Sequence, residues 1–157
     1  MKKFIIDTNI IVEYLKGNEI AKEIIDVISK DKTNQYLLSI DTIEEILYIL
    51  VRYFSKKPYW EIKDNPDLAK EVYEILIPLL DVLTEKFFHL IDTPSKIKST
   101  LFSLCKNYGM LPKDALLTAL VIEYKVDFVI TLDGDFKKLD FVKVITSAYE
   151  LKDSIKH

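Results

Sequence analysis

Residues 4–9 read Phe4-Ile5-Ile6-Asp7-Thr8-Asn9. Three consecutive apolar side chains cannot alternate between core and water, so the run fits a strand buried on both faces. Asp7 closes it, and Thr8-Asn9 then offers a turn or a helix cap. This is the pattern of a parallel strand feeding a helix. It recurs at residues 35–39 and at Phe128-Val129-Ile130, which Thr131 closes. Residues 87–91 are a candidate third strand and 142–145 a final edge strand.

Between these runs the periodicity changes to helical. Helices are predicted over 10–16, stopped by Gly17-Asn18, and over 19–30, with Ile20, Ile24, Val27 and Ile28 as its apolar side. A third runs from Asp41 to about Phe54, where Asp41 and Glu44 have capping-box spacing. Residues 56–65 are the most polar irregular stretch. A long helix follows from Pro66 to about Lys86, which Pro78 should kink or split. Thr93-Pro94 begins a helix ending at Gly109, and Pro112 opens another with Asp114 in its first turn. Strands alternating with helices predict an α/β fold, a mainly parallel sheet of four to five strands covered on both faces.

The 157 residues, with 49% hydrophobic and 30% charged content, Gly 3 and Pro 5, predict one well-ordered domain over 1–157. The net charge of −3 provides no global basic field, so a polyanionic substrate would depend on local lysines and on metal. Cys105 is the sole cysteine, which excludes an intrachain disulfide; it reads as a small buried apolar residue. Met1-Lys2-Lys3 and the apolar run after it imitate a signal peptide, but Asp7, Asn9 and Glu13 interrupt it too early. No run approaches the ~20 residues of a membrane helix. A cytoplasmic protein is expected.

The acids are placed unusually. Asp7 follows the first strand, Asp133 and Asp135 follow the 128–131 strand, and Glu44/Glu45 and Asp114 occupy first turns of helices. In an open parallel sheet those positions share one edge, the edge where ligands bind. Glu44 and Glu45 are about 100° apart on their helix, so both cannot face one point. Glu45 is assigned to the site and Glu44 to the cap, with the reverse left open. Carboxylates held together raise one another's pKa, a conflict that a divalent cation removes. Oxygen donors without histidine or cysteine select Mg²⁺ or Mn²⁺, one or two ions, over zinc. His89 reads as a strand residue with a satisfied partner, and His157 is the last residue of the sequence. Two such ions could activate water for phosphodiester hydrolysis.

Phe4-Ile5-Ile6-Asp7-Thr8-Asn9, Ser39-x-x-Thr42-x-x-Glu45, Asp114-Ala115-Leu116 and Thr131-Leu132-Asp133-Gly134-Asp135-Phe136 resemble, in order and spacing, the motifs of the PIN-domain nucleases. Within that family the chain is similar to the small prokaryotic members that include the VapC toxins of toxin–antitoxin pairs. The resemblance implies a three-layer α/β/α sandwich and a metal-dependent endoribonuclease acting on RNA. It implies that Asp7, Glu45, Asp114 and Asp133 hold Mg²⁺ or Mn²⁺, with Asp135 an accessory or alternate acid. Thr8, Asn9 and Thr131 match positions that support the acids. It also implies a homodimer and an antitoxin partner. Residues 55–87 read as a helical clip larger than that of the shortest toxins.

Lys113, beside Asp114, is the best candidate for a substrate phosphate; Lys137 and Lys138 are weaker ones. Tyr53, Phe54, Lys56, Lys57, Tyr59 and Trp60 interleave rings and bases, as an RNA-stacking surface or a protein interface would. Two alternatives stand beside the toxin reading. One is a stand-alone RNA-processing PIN nuclease without antitoxin, and the other a non-catalytic Mg²⁺-binding module of receiver type. Against the latter, Thr8-Asn9 follows Asp7 where receivers carry paired acids; a haloacid-dehalogenase-type phosphatase would need Asp where Asn9 stands.

Overall fold

Strand β1, Lys3–Ile6, is the centre of a computed structural model that describes residues 1–156, apart from the side chains of Asp135 and Lys138. His157 lies outside the described residues. β1 pairs in parallel with β2 (Gln35–Ser39) on one side and β4 (Phe128–Ile130) on the other. β3 (His89–Ile91) and β5 (Val144–Ile145) complete an all-parallel sheet of order β3-β2-β1-β4-β5. The apolar runs divide by strand period. Phe4, Ile6, Tyr36, Leu38 and Ile130 enter one core, while Ile5, Leu37 and Val129 enter the other. Phe4 stacks on Tyr36 and Phe128, at 5.1 and 5.4 Å between ring centroids.

The first core is covered by α1 (Thr8–Leu15), α2 (Glu19–Lys30), α3 (Ile40–Ser55), α5 (Pro66–Phe87) and α8 (Ala148–Lys156). The second lies beneath α6 (Lys98–Tyr108) and α7 (Pro112–Tyr124), so the expected three-layer α/β/α sandwich is present. Gly17 and Gly109, both in the left-handed region, end α1 and α6 as helix-terminating glycines do.

Several local expectations are corrected. Residues 59–64 form a helix, α4 (Tyr59–Asp64), anchored by buried Ile62, instead of an irregular stretch. Of the kink or split expected at Pro78, the split does not occur: α5 continues through it as one helix, with Leu76, Leu80 and Leu83 packed in the core. The buried face of α2 uses Ala21 and Ile25 where Ile20 was expected; Ile20 is exposed. Ser39, not Asp41 with Glu44, caps α3: its hydroxyl accepts from the Thr42 N–H at 3.1 Å. Near the end of α3, Phe54 is exposed and Val51 is buried. Cys105 is half-buried against the second core. His89 is exposed on an edge strand. The C-terminal helix α8 was not anticipated.

Candidate active site

The Asp7 N–H continues the ladder beyond β1 by donating to the Ile130 carbonyl at 3.0 Å. This fixes Asp7 over the seam between β1 and β4, where the strand order reverses. The residue is only 4% exposed. A buried carboxylate is costly unless hydrogen-bonded, and here its Oδ2 accepts from Thr131 Oγ1 at 2.7 Å and Asn9 Nδ2 at 2.9 Å. Asn9 Nδ2 also donates to Thr131 Oγ1, and its Oδ1 accepts from the Leu132 N–H at 3.0 Å. The Asp133 N–H donates to the same Thr131 hydroxyl at 3.0 Å. Thr131 thus ties the end of β1 to the loop that carries Asp133.

Glu45 approaches from α3. Thr8 Oγ1 donates to its Oε2 at 2.5 Å. The Lys113 ammonium, from the first turn of α7, lies 2.9 Å from Glu45 Oε1 and 3.9 Å from Asp7 Oδ1. Three elements distant in sequence therefore meet at one ion-paired point. They line a depression of about 300 Å³ that also includes Ser39, Asp41, Thr42 and Glu44, over Leu117 and Leu120. Glu45 is half-buried and engaged, whereas Glu44 is exposed at the rim. Asp41, also in the lining, accepts from the Thr93 hydroxyl.

Burial pushes the Asp7 carboxyl above its ordinary range, and the negative charge of Glu45 adds to the effect. The Thr131 hydroxyl, Lys113 and the Thr8 backbone pull it back without cancelling burial. The site therefore contains a carboxylate whose charge is incompletely compensated.

The remaining predicted acids are less tightly gathered. Asp114 sits half-buried in the first turn of α7 and lines a second depression of about 350 Å³ with Tyr108, Met110, Leu111 and Phe136. Asp133 is exposed, with its backbone on Thr131. The Asp135 side chain, the accessory acid, lies outside the described residues, as does that of Lys138. Lys137 pairs with Glu150 at 3.3 Å. Among the described residues no three carboxylates are assembled closely enough to hold an ion as they stand. The Ser39–Thr42 cap and the Asp41–Thr93 contact at the rim were missed. The Ser-x-x-Thr spacing could have revealed the former.

Known proteins share this arrangement of elements. The PIN domain matches residues 4–142. Ribonuclease VapC2 of Methanocaldococcus jannaschii is 30% identical over 145 residues, covering 91% of this chain and 93% of that one. A toxin–antitoxin complex from Klebsiella pneumoniae contains a chain with a TM-score of 0.61 at 20% identity, covering 90% of this chain and 95% of its own. VapBC2 from Rickettsia felis, bound to a DNA fragment from its promoter, gives 0.61 at 17% identity, over 91% of this chain and 97% of that chain. From the match over nearly its whole length, the chain belongs to the PIN-domain family.

Proposed function

We propose that this protein is an endoribonuclease of the VapC kind, a Mg²⁺- or Mn²⁺-dependent hydrolase of RNA phosphodiester bonds that an antitoxin holds in check. The observation that carries the reading is Asp7, buried at the strand-order reversal and sharing Lys113 with Glu45. Similarity to a ribonuclease and to chains from toxin–antitoxin complexes supports it. Asp7, Glu45, Asp114 and Asp133 are the proposed metal ligands, with Asp135 as accessory. A single PIN-like domain over 1–157 with a helical clip at about 55–87, a homodimer, and action in the cytoplasm belong to the same proposal. Among the described residues no helix is long and apolar enough to cross a membrane.

The residues fit a hard cation. The depression offers carboxylate and hydroxyl oxygens, and no imidazole or thiol lines it. PIN-domain nucleases generally use divalent metal ions. When bound, such an ion activates a water and takes up charge on the phosphate oxygens. The protein's own groups do the positioning. Thr131 and Asn9 fix one Asp7 oxygen, leaving Oδ1 directed to the pocket, and Thr8 fixes Glu45. Lys113 supplies the counter-charge between the two acids. Lys113, half exposed at the pocket, would be within reach of a phosphate oxygen of the substrate once the two acids are otherwise neutralised.

The test is cleavage of a mixed RNA pool with Mn²⁺, with chelator, and with Asp7→Asn. Cleavage that disappears in both of the latter conditions is expected. Cleavage indifferent to chelator and substitution would remove the reading.

A further inference from the structure

From the acid pocket, α3 carries a row of side chains outward along one face. Glu44 stands at the pocket rim. Tyr48 and Arg52 follow at steps of four residues, the spacing that aligns side chains on one helix face. At about 1.5 Å per residue the row extends roughly 12 Å. The Arg52 guanidinium lies over the Tyr48 ring, 5.5 Å from its centroid. Tyr59 of α4 packs at a tilt against the same ring, 5.9 Å between centroids. Both tyrosines are exposed, and Trp60 beside them is more so. Arg52 is the only arginine of the chain, and among the described residues it makes no ion pair.

We infer that Tyr48, Arg52 and Tyr59 form a base-stacking track that leads single-stranded RNA into the acid pocket. The inference rests on the nuclease reading of that pocket. Two features select a nucleic acid as occupant. The row is continuous with the pocket that would hold the scissile phosphate, and it combines rings with an uncommitted guanidinium. Rings stack on any base, and guanidinium pairs with phosphate while stacking on the ring. The neighbouring exposed stripe on α5, Ile75, Leu79 and Val82, is aliphatic and offers nothing to a phosphate. With a net charge of −3, affinity for a polyanion has to come from local contacts of this kind.

The test is fluorescence anisotropy of a short labelled oligouridylate in chelator, so that no cleavage intervenes. Tyr48→Ala and Tyr59→Ala should each weaken binding on the order of tenfold, and Tyr48→Phe should retain it. Arg52→Gln should weaken binding and lower the salt slope by about one. Single strands should bind more tightly than a duplex. Unchanged affinity in both alanine variants, with melting temperatures preserved, overturns the inference. So does equal binding of duplex, or a change in sedimentation with RNA affinity intact, which would make the face a protein interface. Hydrolysis of bis(p-nitrophenyl) phosphate by the wild-type protein with Mn²⁺ is measured alongside. Its absence would sink the nuclease reading, while the track is judged by binding alone.

Discussion

Asp31 and Asp7 occupy opposite edges of the sheet and are treated in opposite ways. Asp31, at the end of α2 before β2, accepts from the Thr33 N–H and hydroxyl at 2.8 and 2.7 Å, and from Asn34 and the Tyr36 hydroxyl at 2.7 Å each. Partial burial pushes its carboxyl up, but those donors outweigh it and bring it down to about 2. Asn34 accepts in turn from the Lys2 N–H, so the network ties β2 to the start of β1. Asp7 has fewer donors for a more deeply buried group, and its carboxyl ends above the ordinary range. At one edge the charge is compensated within the fold; at the other, burial outweighs the donors. Incomplete compensation at a buried charge marks a functional site when the geometry also converges there.

The contrast is tested first by converting each acid to its amide. Asp7→Asn should lower metal-dependent RNA cleavage on the order of 10³-fold, since a proposed ligand is lost. Asp31→Asn should leave cleavage near wild type and destabilise the fold at neutral pH by on the order of 1 kcal/mol after solvent screening. Because the folded carboxyl of Asp31 lies below its unfolded value, its stabilisation is present above the ordinary carboxylate range and fades as pH falls toward about 2. Urea melts of wild type and variant should therefore converge on acidification. A constant gap down to that pH would mean that the donors do not act through charge.

Lys113 sharpens the comparison with a smaller effect. Its ammonium is about half exposed, so Lys113→Met should cost less than about 1 kcal/mol in chelator. The loss arises because Asp7 and Glu45 then face each other without a counter-charge. Millimolar Mn²⁺ should reverse that loss and raise the melting temperature more in the variant than in wild type. Equal shifts in both proteins would show that Lys113 and the cation do not share a position.

Legibility follows how local the cause is. The strands at 4–6, 35–39 and 128–130 were readable because burial on both faces requires continuous apolar runs. Asp7 was readable as the residue that closes β1; Thr8, Asn9 and Thr131 came with the family resemblance, and they meet Asp7 or Glu45 because β1 and β4 end side by side next to α3. α4 and α8 were not, since one rests on Ile62 alone and the other on Ala148 and Leu151, too few for a periodic pattern. The bridging position of Lys113 depends on the relative placement of β1, α3 and α7, which no local spacing encodes. The same distance in sequence hid the Asp41–Thr93 contact.

The smallest effect is the most discriminating. In chelator, Asp7→Asn should stabilise the protein at neutral pH by roughly half a kcal/mol, opposite in sign to Asp31→Asn. The amide oxygen can still accept from Thr131 and Asn9, so the network at Oδ2 survives. The Lys113 contact at 3.9 Å weakens, but repulsion from Glu45 and the cost of burying charge both vanish. The pH dependence carries the sign. A carboxyl whose folded value is raised keeps its proton in the folded state after the unfolded chain has lost it. Wild-type stability therefore declines as pH rises from the ordinary carboxylate range through the raised value, and the variant escapes that decline. The two melting curves should separate on the alkaline side of that window and meet on the acid side, as the Asp31 pair does, but with the variant above the wild type instead of below it. If Asp7→Asn is destabilising at every pH, Asp7 is compensated like Asp31, and the opposition between the two edges fails.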